Sequence, residues 1–180
     1  KKSKLDSSMW YRLDVSKQAY DYLCHHVDDY VTVGPNVNRV VNDIKRDYAI
    51  SEDGPIPQFY LGINTDLLPN GTGWILHSTK YIEKVIPIVE GIIGKKLGHA
   101  KPPTKTDWNP EVDESPLIDD ARRNKYQKLL GIGIWLITTT RIEITYGVTT
   151  LSRYTHIARE GHIEDLIRIF EYLHKYPNLG

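Results

Sequence analysis

Four consecutive residues carry the sharpest chemical signal in the chain: His26, Val27, Asp28 and Asp29, between two apolar segments. Adjacent carboxylates at a turn repel each other unless a cation or water screens them. Oxygen-only ligands favour Mg²⁺ or Mn²⁺. Such an ion clamps phosphate oxygens in an in-line nucleotidyl transfer, while a second ion activates the attacking hydroxyl. An ordinary hairpin turn is the alternative, because aspartate is common in such loops.

The neighbouring Cys24, His25 and His26 do not predict a zinc site. Side chains alternate between the faces of a strand, so Cys24 and His26 share one face and His25 lies on the other. His156 and His162 are interpreted as exposed or capping side chains rather than metal ligands. The sequence has no Walker A loop and no Gly-x-Ser-x-Gly motif, which leaves phosphate-cradle and serine-hydrolase functions without support.

Strands and one helix are predicted to position the Asp28–Asp29 turn. Residues 20–26 and 30–33 are rich in aromatic and β-branched side chains, which favours a hairpin around the turn. Asn36 is then expected to cap an amphipathic helix. Its apolar positions repeat at spacings of three and four: Val37, Val40, Val41, Ile44 and Tyr48.

The remaining elements are predicted as a second hairpin followed by helices. Pro69-Asn70-Gly71 indicates the hairpin turn, and Ser78 or Thr79 is expected to cap a helix that Pro87 kinks or ends early. The proline-rich stretch 98–120 is interpreted as a linker that divides two lobes, and the pattern after it predicts three helices. Close helix contacts are expected at three glycines of this lobe, Gly131, Gly133 and Gly147.

Composition excludes several classes of protein. The 180 residues carry 23 basic and 23 acidic side chains, which argues against a histone-like polybasic protein. With 40% hydrophobic residues the chain can bury its own core, and a single cysteine removes an intramolecular disulfide framework. Neither a signal peptide nor a membrane span is expected.

Several short motifs, in this order, resemble the reverse transcriptases of copia-type retrotransposons. Residues 22–29, Tyr-Leu-Cys-His-His-Val-Asp-Asp, resemble the strand that enters the family's Tyr-Val-Asp-Asp turn, and residues 59–63, Phe-Tyr-Leu-Gly-Ile, resemble its Phe-Leu-Gly primer-grip hairpin. The series continues with the segments 78–82, 113–117, 126–131, 151–154, 159–162 and 169–173. The resemblance covers roughly Met9 to Leu179.

The resemblance implies an α+β fold, with a partial polymerase palm of antiparallel hairpins and helices at 1–97, a linker at 98–120 and a helical thumb-like lobe at 121–180. It implies that Asp28 and Asp29 are catalytic ligands of Mg²⁺ or Mn²⁺, and that His26, Val27 and the segment Phe59, Tyr60, Leu61 and Gly62 contact substrate or primer. His26 replaces the family's usual tyrosine. The family's upstream metal-binding aspartate and fingers do not precede Lys1, so an incomplete two-metal site is expected and the isolated chain is expected to be inactive.

The expected partners are a primer–template duplex, a deoxynucleoside triphosphate and the rest of a Pol polyprotein, with its upstream fingers and palm and its downstream ribonuclease H domain. Phosphate contacts are expected from six cationic side chains: Lys80, Lys84, Arg122, Arg123, Lys128 and Arg153. The resemblance implies a cytoplasmic virus-like particle, with entry into the nucleus during integration. The alternative hypothesis is a domesticated or decayed module that binds nucleic acid or a protein without catalysis.

Overall fold

The computed structural model describes residues 1–50, 54 and 58–179. The strands are β1 (Met9–Asp14), β2 (Ala19–His26), β3 (Asp29–Val33), β4 (Phe59–Tyr60), β5 (Ile63–Leu67) and β6 (Trp74–His77). The helices are α1 (Val37–Asp47), α2 (Thr79–Ile93), α3 (Asp120–Thr139), α4 (Thr145–Ser152) and α5 (Glu160–Lys175), with 3₁₀ turns at Pro110–Val112 and Ile142–Ile144. The chain forms two compact units, residues 1–61 and 62–180.

The first unit is an antiparallel sheet in the order β1-β2-β3 with helix α1 against it. Across the sheet Trp10 lies opposite Leu23, and His26 lies opposite Asp29. The predicted hairpin around the two aspartates is therefore confirmed. The predicted helix is confirmed too, and its spacing of three and four places four half-buried apolar residues on one face: Val37, Val40, Val41 and Ile44. Tyr48 lies just beyond the helix and is exposed.

Asn36 stands at the N-cap of α1, but the predicted side-chain cap is wrong. Its amide nitrogen donates instead to Asp14 Oδ2 at 2.7 Å and to Asp21 Oδ2 at 3.2 Å, and its backbone N–H donates to Asp21 Oδ1 at 2.9 Å. The Asn36 side-chain oxygen, the atom that would cap α1, accepts instead from Lys17 Nζ at 3.0 Å. Hydrogen bonds from charged donors are the stronger ones, so Lys17 displaces a helix N–H there. Arg12 Nη2 donates to Asp21 at 3.2 Å, which ties β1, β2 and the start of α1 together.

Acid is expected to destabilise this network. Side-chain hydrogen bonds from Ser16 and Asn36 lower the pKa of Asp14 to about 2. Burial opposes ionisation of Asp21, but hydrogen bonds from Asn36 and Arg12 outweigh it and lower the pKa of Asp21 as well. Unfolded aspartate titrates near ~3.9, so the unfolded chain binds more protons below that pH. The stabilisation is present above about pH 4 and is lost as the pH falls toward about 2.

The measurement is urea unfolding at pH 5 and pH 3 with Trp10 fluorescence as the probe, since Trp10 lies on β1 of this unit. Variants that retain only Trp10 among the four tryptophans isolate that signal. Asp14→Asn is expected to reduce the loss of stability between the two pH values. An unchanged pH dependence of stability in Asp14→Asn would contradict the assignment of this acid sensitivity to Asp14.

The second unit begins with the β5–β6 hairpin, in which Leu67 lies opposite Trp74. Gly71 adopts a φ of 70° in its turn, a backbone region that glycine enters without steric cost. The hairpin predicted from Asn70-Gly71 is confirmed.

The three predicted C-terminal helices are confirmed as α3, α4 and α5, and α2 packs with them around one core. Leu166, Phe170 and Leu173 of α5 are fully buried in it. Tyr126 of α3 donates its hydroxyl to the Leu151 carbonyl at 2.7 Å, so the phenol satisfies its hydrogen bond inside the core.

Helix α2 does not end at Pro87. It continues to Ile93, where Gly94 takes a φ of 75° and donates its N–H to the Glu90 carbonyl. Proline in a helix interior costs about 3 kcal/mol. Burial of Ile86 and Val89 on either side of Pro87 offsets that cost, because each apolar side chain removed from water contributes about 1.5–3 kcal/mol.

The division between the units differs from the expected one. The stretch 98–120 lies within the second unit rather than between two lobes. Ala100, Pro110 and Ile118 are buried, and Leu117 forms an antiparallel bridge with Arg159. These apolar residues and backbone bonds attach the proline-rich stretch to the helical core.

Two of the three glycines lie at the expected helix contacts. A Cβ on Gly133 would lie 3.1 Å from a methyl of Val148 on α4, and one on Gly147 would lie 2.9 Å from Ile169 on α5. Gly131 is different: nothing lies within 4 Å of its Cβ position, so the expectation for that residue is wrong.

Candidate functional site

The tip of the β2–β3 hairpin presents both aspartates to solvent. His26 and Asp29 are the last paired residues, so Val27 and Asp28 form a two-residue turn. Asp28 and Asp29 are exposed, and neither carboxylate makes a hydrogen bond or ion pair with another described residue. Two adjacent, uncompensated carboxylates are suited to hold a divalent cation.

The turn places strain beside the aspartates. Val27 has a φ of 56°, in the left-handed region that a β-branched residue rarely enters. Such a conformation costs about 1–2 kcal/mol, and strained backbone of this kind is concentrated at functional sites.

The hairpin register confirms the predicted alternation along β2. His25 lies opposite Tyr30, and their rings contact at a centroid distance of 6.2 Å. Cys24 and His26 occupy the other face, where His26 lies across from Asp29. The same three residues therefore cannot bind one metal ion.

Within the first unit, Tyr60 of the segment predicted to contact the primer lies near the hairpin. Burial raises the pKa of Tyr60, and the ionisable groups of Cys24, Asp29 and Asp6 raise it further. The charge of Asp29, one of the two predicted metal ligands, therefore acts on the Tyr60 phenol. Phe59 and Leu61 on either side are exposed.

Gly62, the last residue of that segment, belongs to the second unit and has a structural role there. Its φ is 81°, and a Cβ would lie 2.8 Å from Trp135 Cζ2. Trp135 also packs on Tyr81 at a centroid distance of 3.9 Å. Trp135 is thus a packing aromatic.

No group of three or more histidine, cysteine, aspartate or glutamate side chains is arranged to hold a metal ion in residues 1–50, 54 and 58–179. Asp28 and Asp29 contribute two carboxylates only. The described part of the chain therefore supplies a partial oxygen-donor set.

The six predicted phosphate-binding cations fall into two groups. Lys80 and Lys84 on α2 and Lys128 on α3 are exposed and make no ion pair with a described residue. The three arginines are engaged: Arg122 pairs with Glu160, Arg123 with Asp120 at 2.6 Å, and Arg153 with Glu111 at 3.4 Å. The lysines are therefore the better candidates for phosphate contacts.

Sequence reasoning missed the exposed face of α3 that runs through Gly131. Lys128, Gly131 and Ile134 share this face at spacings of three residues, and all three are exposed. A mid-helix glycine with open space above it allows another molecule to approach the helix backbone closely. In the sequence, a mid-helix glycine one turn after a lysine is the signal that could have identified this face.

Gly131→Ala is expected to raise the free energy of unfolding by about 0.5–1 kcal/mol, since alanine favours the helix and no neighbour obstructs its methyl group. Urea unfolding followed by circular dichroism measures this change. Gly133→Ala is the matched comparison, because its methyl must displace Val148. A stability loss in Gly131→Ala would show that this face is packed.

His162 and His156 are each interpreted from the sequence as an exposed or a capping side chain, and His162 is a capping one. It is buried; its Nδ1 accepts the Arg159 N–H at 3.1 Å, and its Nε2 lies 3.0 Å from the Pro110 carbonyl. Both ring nitrogens are occupied by backbone groups, so neither is free to bind a metal ion. His156 is exposed.

No helix in the described part of the chain combines the length and apolar character needed to cross a membrane. No protein-family model matches the sequence. No solved structure matches it either.

Two relatives share most of this chain. The retrovirus-related Pol polyprotein from transposon RE1 of Arabidopsis thaliana is 24% identical over 162 residues, which cover 88% of this chain and 10% of that protein. The transposon Ty5-1 protein of Saccharomyces cerevisiae is 28% identical over 160 residues, which cover 85% of this chain and 48% of that protein. The chain spans about half the length of the yeast relative and a tenth of the plant one. It is therefore similar to a region of transposon-encoded polyproteins of the retrotransposon Pol kind.

Proposed function

We propose that the chain is part of an RNA-directed DNA polymerase within a retrotransposon Pol polyprotein. The observation that carries the proposal is the β2–β3 hairpin, which presents the exposed carboxylates of Asp28 and Asp29 at its tip. The similarity to the RE1 Pol polyprotein supports it independently.

The donor set at the tip suits Mg²⁺ or Mn²⁺, because both ligands are carboxylate oxygens. Bound divalent ions neutralise developing phosphate charge and lower the pKa of an attacking hydroxyl. Asp28 is the metal ligand and Asp29 its weaker neighbour. At least one more carboxylate, from another part of the polyprotein, is needed to complete a two-metal site.

The surroundings of the hairpin supply positioning groups. The charge of Asp29 acts on the Tyr60 phenol, and Tyr60 belongs to the segment proposed to hold the primer end. His26, across from Asp29, lies on the same face of the sheet and is proposed to contact the primer or the incoming nucleotide.

The helical unit is proposed to hold the duplex through phosphate contacts. Lys80, Lys84 and Lys128 are exposed cations without a partner among the described residues, and such contacts position a duplex without reading its sequence. The open backbone at Gly131 lets a strand approach α3 next to Lys128.

Duplex binding is tested by fluorescence anisotropy of a labelled primer–template with the 180-residue chain over a series of salt concentrations. We expect affinity to fall with salt and Lys128→Gln to reduce the salt slope by about one. Lys96→Gln is the control, since Lys96 already pairs with Glu90 at 2.7 Å. Absence of binding at every salt concentration would contradict the nucleic-acid function.

Catalysis is tested in a chimera in which this chain follows the region that precedes the match in the RE1 Pol polyprotein. Primer extension with Mg²⁺ is expected in the chimera, to be lost in Asp28→Asn and retained in Asp47→Asn, a control at an exposed aspartate of α1. Extension by the 180-residue chain alone would contradict the fragment assignment. Duplex binding by a chimera that never extends a primer would favour the decayed, non-catalytic module.

A further inference from the structure

A pair of histidines in the second unit lies far from the aspartate hairpin in sequence and has no place in the proposed polymerase site. His99 follows α2, and His174 lies in the last turn of α5. Their ring centroids are 4.7 Å apart, with an angle of 32° between the ring planes.

This spacing fits two imidazoles bound to one ion. Metal–nitrogen bonds of about 2.1 Å place the centroids of two such rings roughly 4.5–5.3 Å apart, for angles at the metal between square and tetrahedral. The observed 4.7 Å lies within that range.

His174 also carries an unsatisfied polar atom. Its Nδ1 is buried and has no hydrogen-bond partner among the described residues. A buried nitrogen of this kind costs about 1–3 kcal/mol when it stays unpaired. A metal ion accepts the lone pair of a neutral imidazole and removes that cost.

The two glutamates Glu90 and Glu171 differ in how strongly they are already hydrogen-bonded. Glu90 is engaged, since it accepts from Lys96 Nζ at 2.7 Å and from the Leu97 N–H at 3.0 Å. Glu171 lies three residues before His174 on α5, and its carboxylate accepts the Gly98 N–H at a longer 3.3 Å. The backbone of Glu171 also receives the Ala100 N–H at 3.4 Å, so residues 98–100 run along α5 and bring His99 to His174.

We propose that His99 and His174 bind a borderline transition-metal ion such as Zn²⁺, with water completing the coordination. Imidazole ligands suit Zn²⁺, whereas Mg²⁺ prefers oxygen donors. The ion joins the segment after α2 to the C-terminal end of α5. Its ligands belong to the second unit, whereas Asp28 and Asp29 belong to the first.

The test is calorimetric titration of the tag-free 180-residue chain with Zn²⁺, together with thermal unfolding in its presence. We expect one ion per chain, a raised Tm, and at least a roughly 10-fold loss of affinity in both His99→Gln and His174→Gln. His99 is exposed, so its variant keeps the fold even where His174→Gln does not. His156→Gln is the control, since His156 is exposed, and it should bind as the unmodified chain does.

Three results would overturn the proposal. The first is no Zn²⁺ binding up to about 1 mM, a concentration that corresponds to a very weak site. The second is binding that His99→Gln leaves unchanged. The third is an equal Tm increase with Mg²⁺, which would show that oxygen ligands elsewhere hold the ion.

Discussion

Arg141→Met is expected to lower the free energy of unfolding by about 1.5–3 kcal/mol, because it removes hydrogen bonds that a charged group donates. Arg141 is fully buried. Its Nε donates to Glu143 at 2.6 Å, and its Nη1 donates to the Tyr176 carbonyl at 2.9 Å. Methionine fills similar space but leaves the carboxylate and the carbonyl without their donor. The loss is measured by urea unfolding followed by circular dichroism.

Two further variants separate the contribution of the Arg141 charge from that of its hydrogen bonds. Arg141→Lys keeps the charge but cannot donate in two directions from a planar group, so an intermediate loss is expected. Glu143→Gln keeps an acceptor oxygen for Arg141 at an exposed position, and a loss of roughly 1 kcal/mol is expected. If Arg141→Met destabilised the chain no more than Glu143→Gln, the guanidinium would not connect the end of α3 to the C-terminal segment.

Gly34→Ala is expected to destabilise the first unit by about 2–4 kcal/mol, through backbone strain and overpacking together. The φ of Gly34 is 151°, and a Cβ there would lie 2.7 Å from Asp21 Cα and 2.8 Å from the Tyr20 carbonyl oxygen. These are backbone atoms of β2, which cannot move aside as a side chain does. The substitution also displaces Asp21, whose carboxylate binds Asn36.

Unfolding followed by Trp10 fluorescence in the single-tryptophan background measures the change, because Trp10 lies in the same sheet. Gly131→Ala provides the opposite case: the same chemical change at an open helical position is expected to stabilise the chain. Equal effects of the two substitutions would refute the steric explanation at Gly34.

Features set by near neighbours in the chain were predictable. The β2–β3 hairpin, the β5–β6 turn at Asn70-Gly71 and the α1 helix follow from side-chain periodicity and turn residues. Each depends on residues within about one turn or one strand pair. The exposed Asp28 and Asp29 tip followed from the same local signals.

Roles that depend on distant partners were not predictable. Asn36 binds Asp14 and Asp21 rather than capping α1, Arg141 is buried against Tyr176, and Arg153 is paired with Glu111. In each case the sequence shows a polar residue of ordinary type. Its partner is brought close only by the packing of another element.

The sequence by itself determined the hairpin that carries the two aspartates, the amphipathic helices and the order of motifs, because local periodicity and turn chemistry specify them. Only the tertiary structure decided that residues 98–120 join the helical unit, that Gly131 is open while Gly133 is packed, and which cations remain available. The physical reason is that burial and pairing depend on what approaches a residue from elsewhere in the chain, and periodicity shows only which face it occupies.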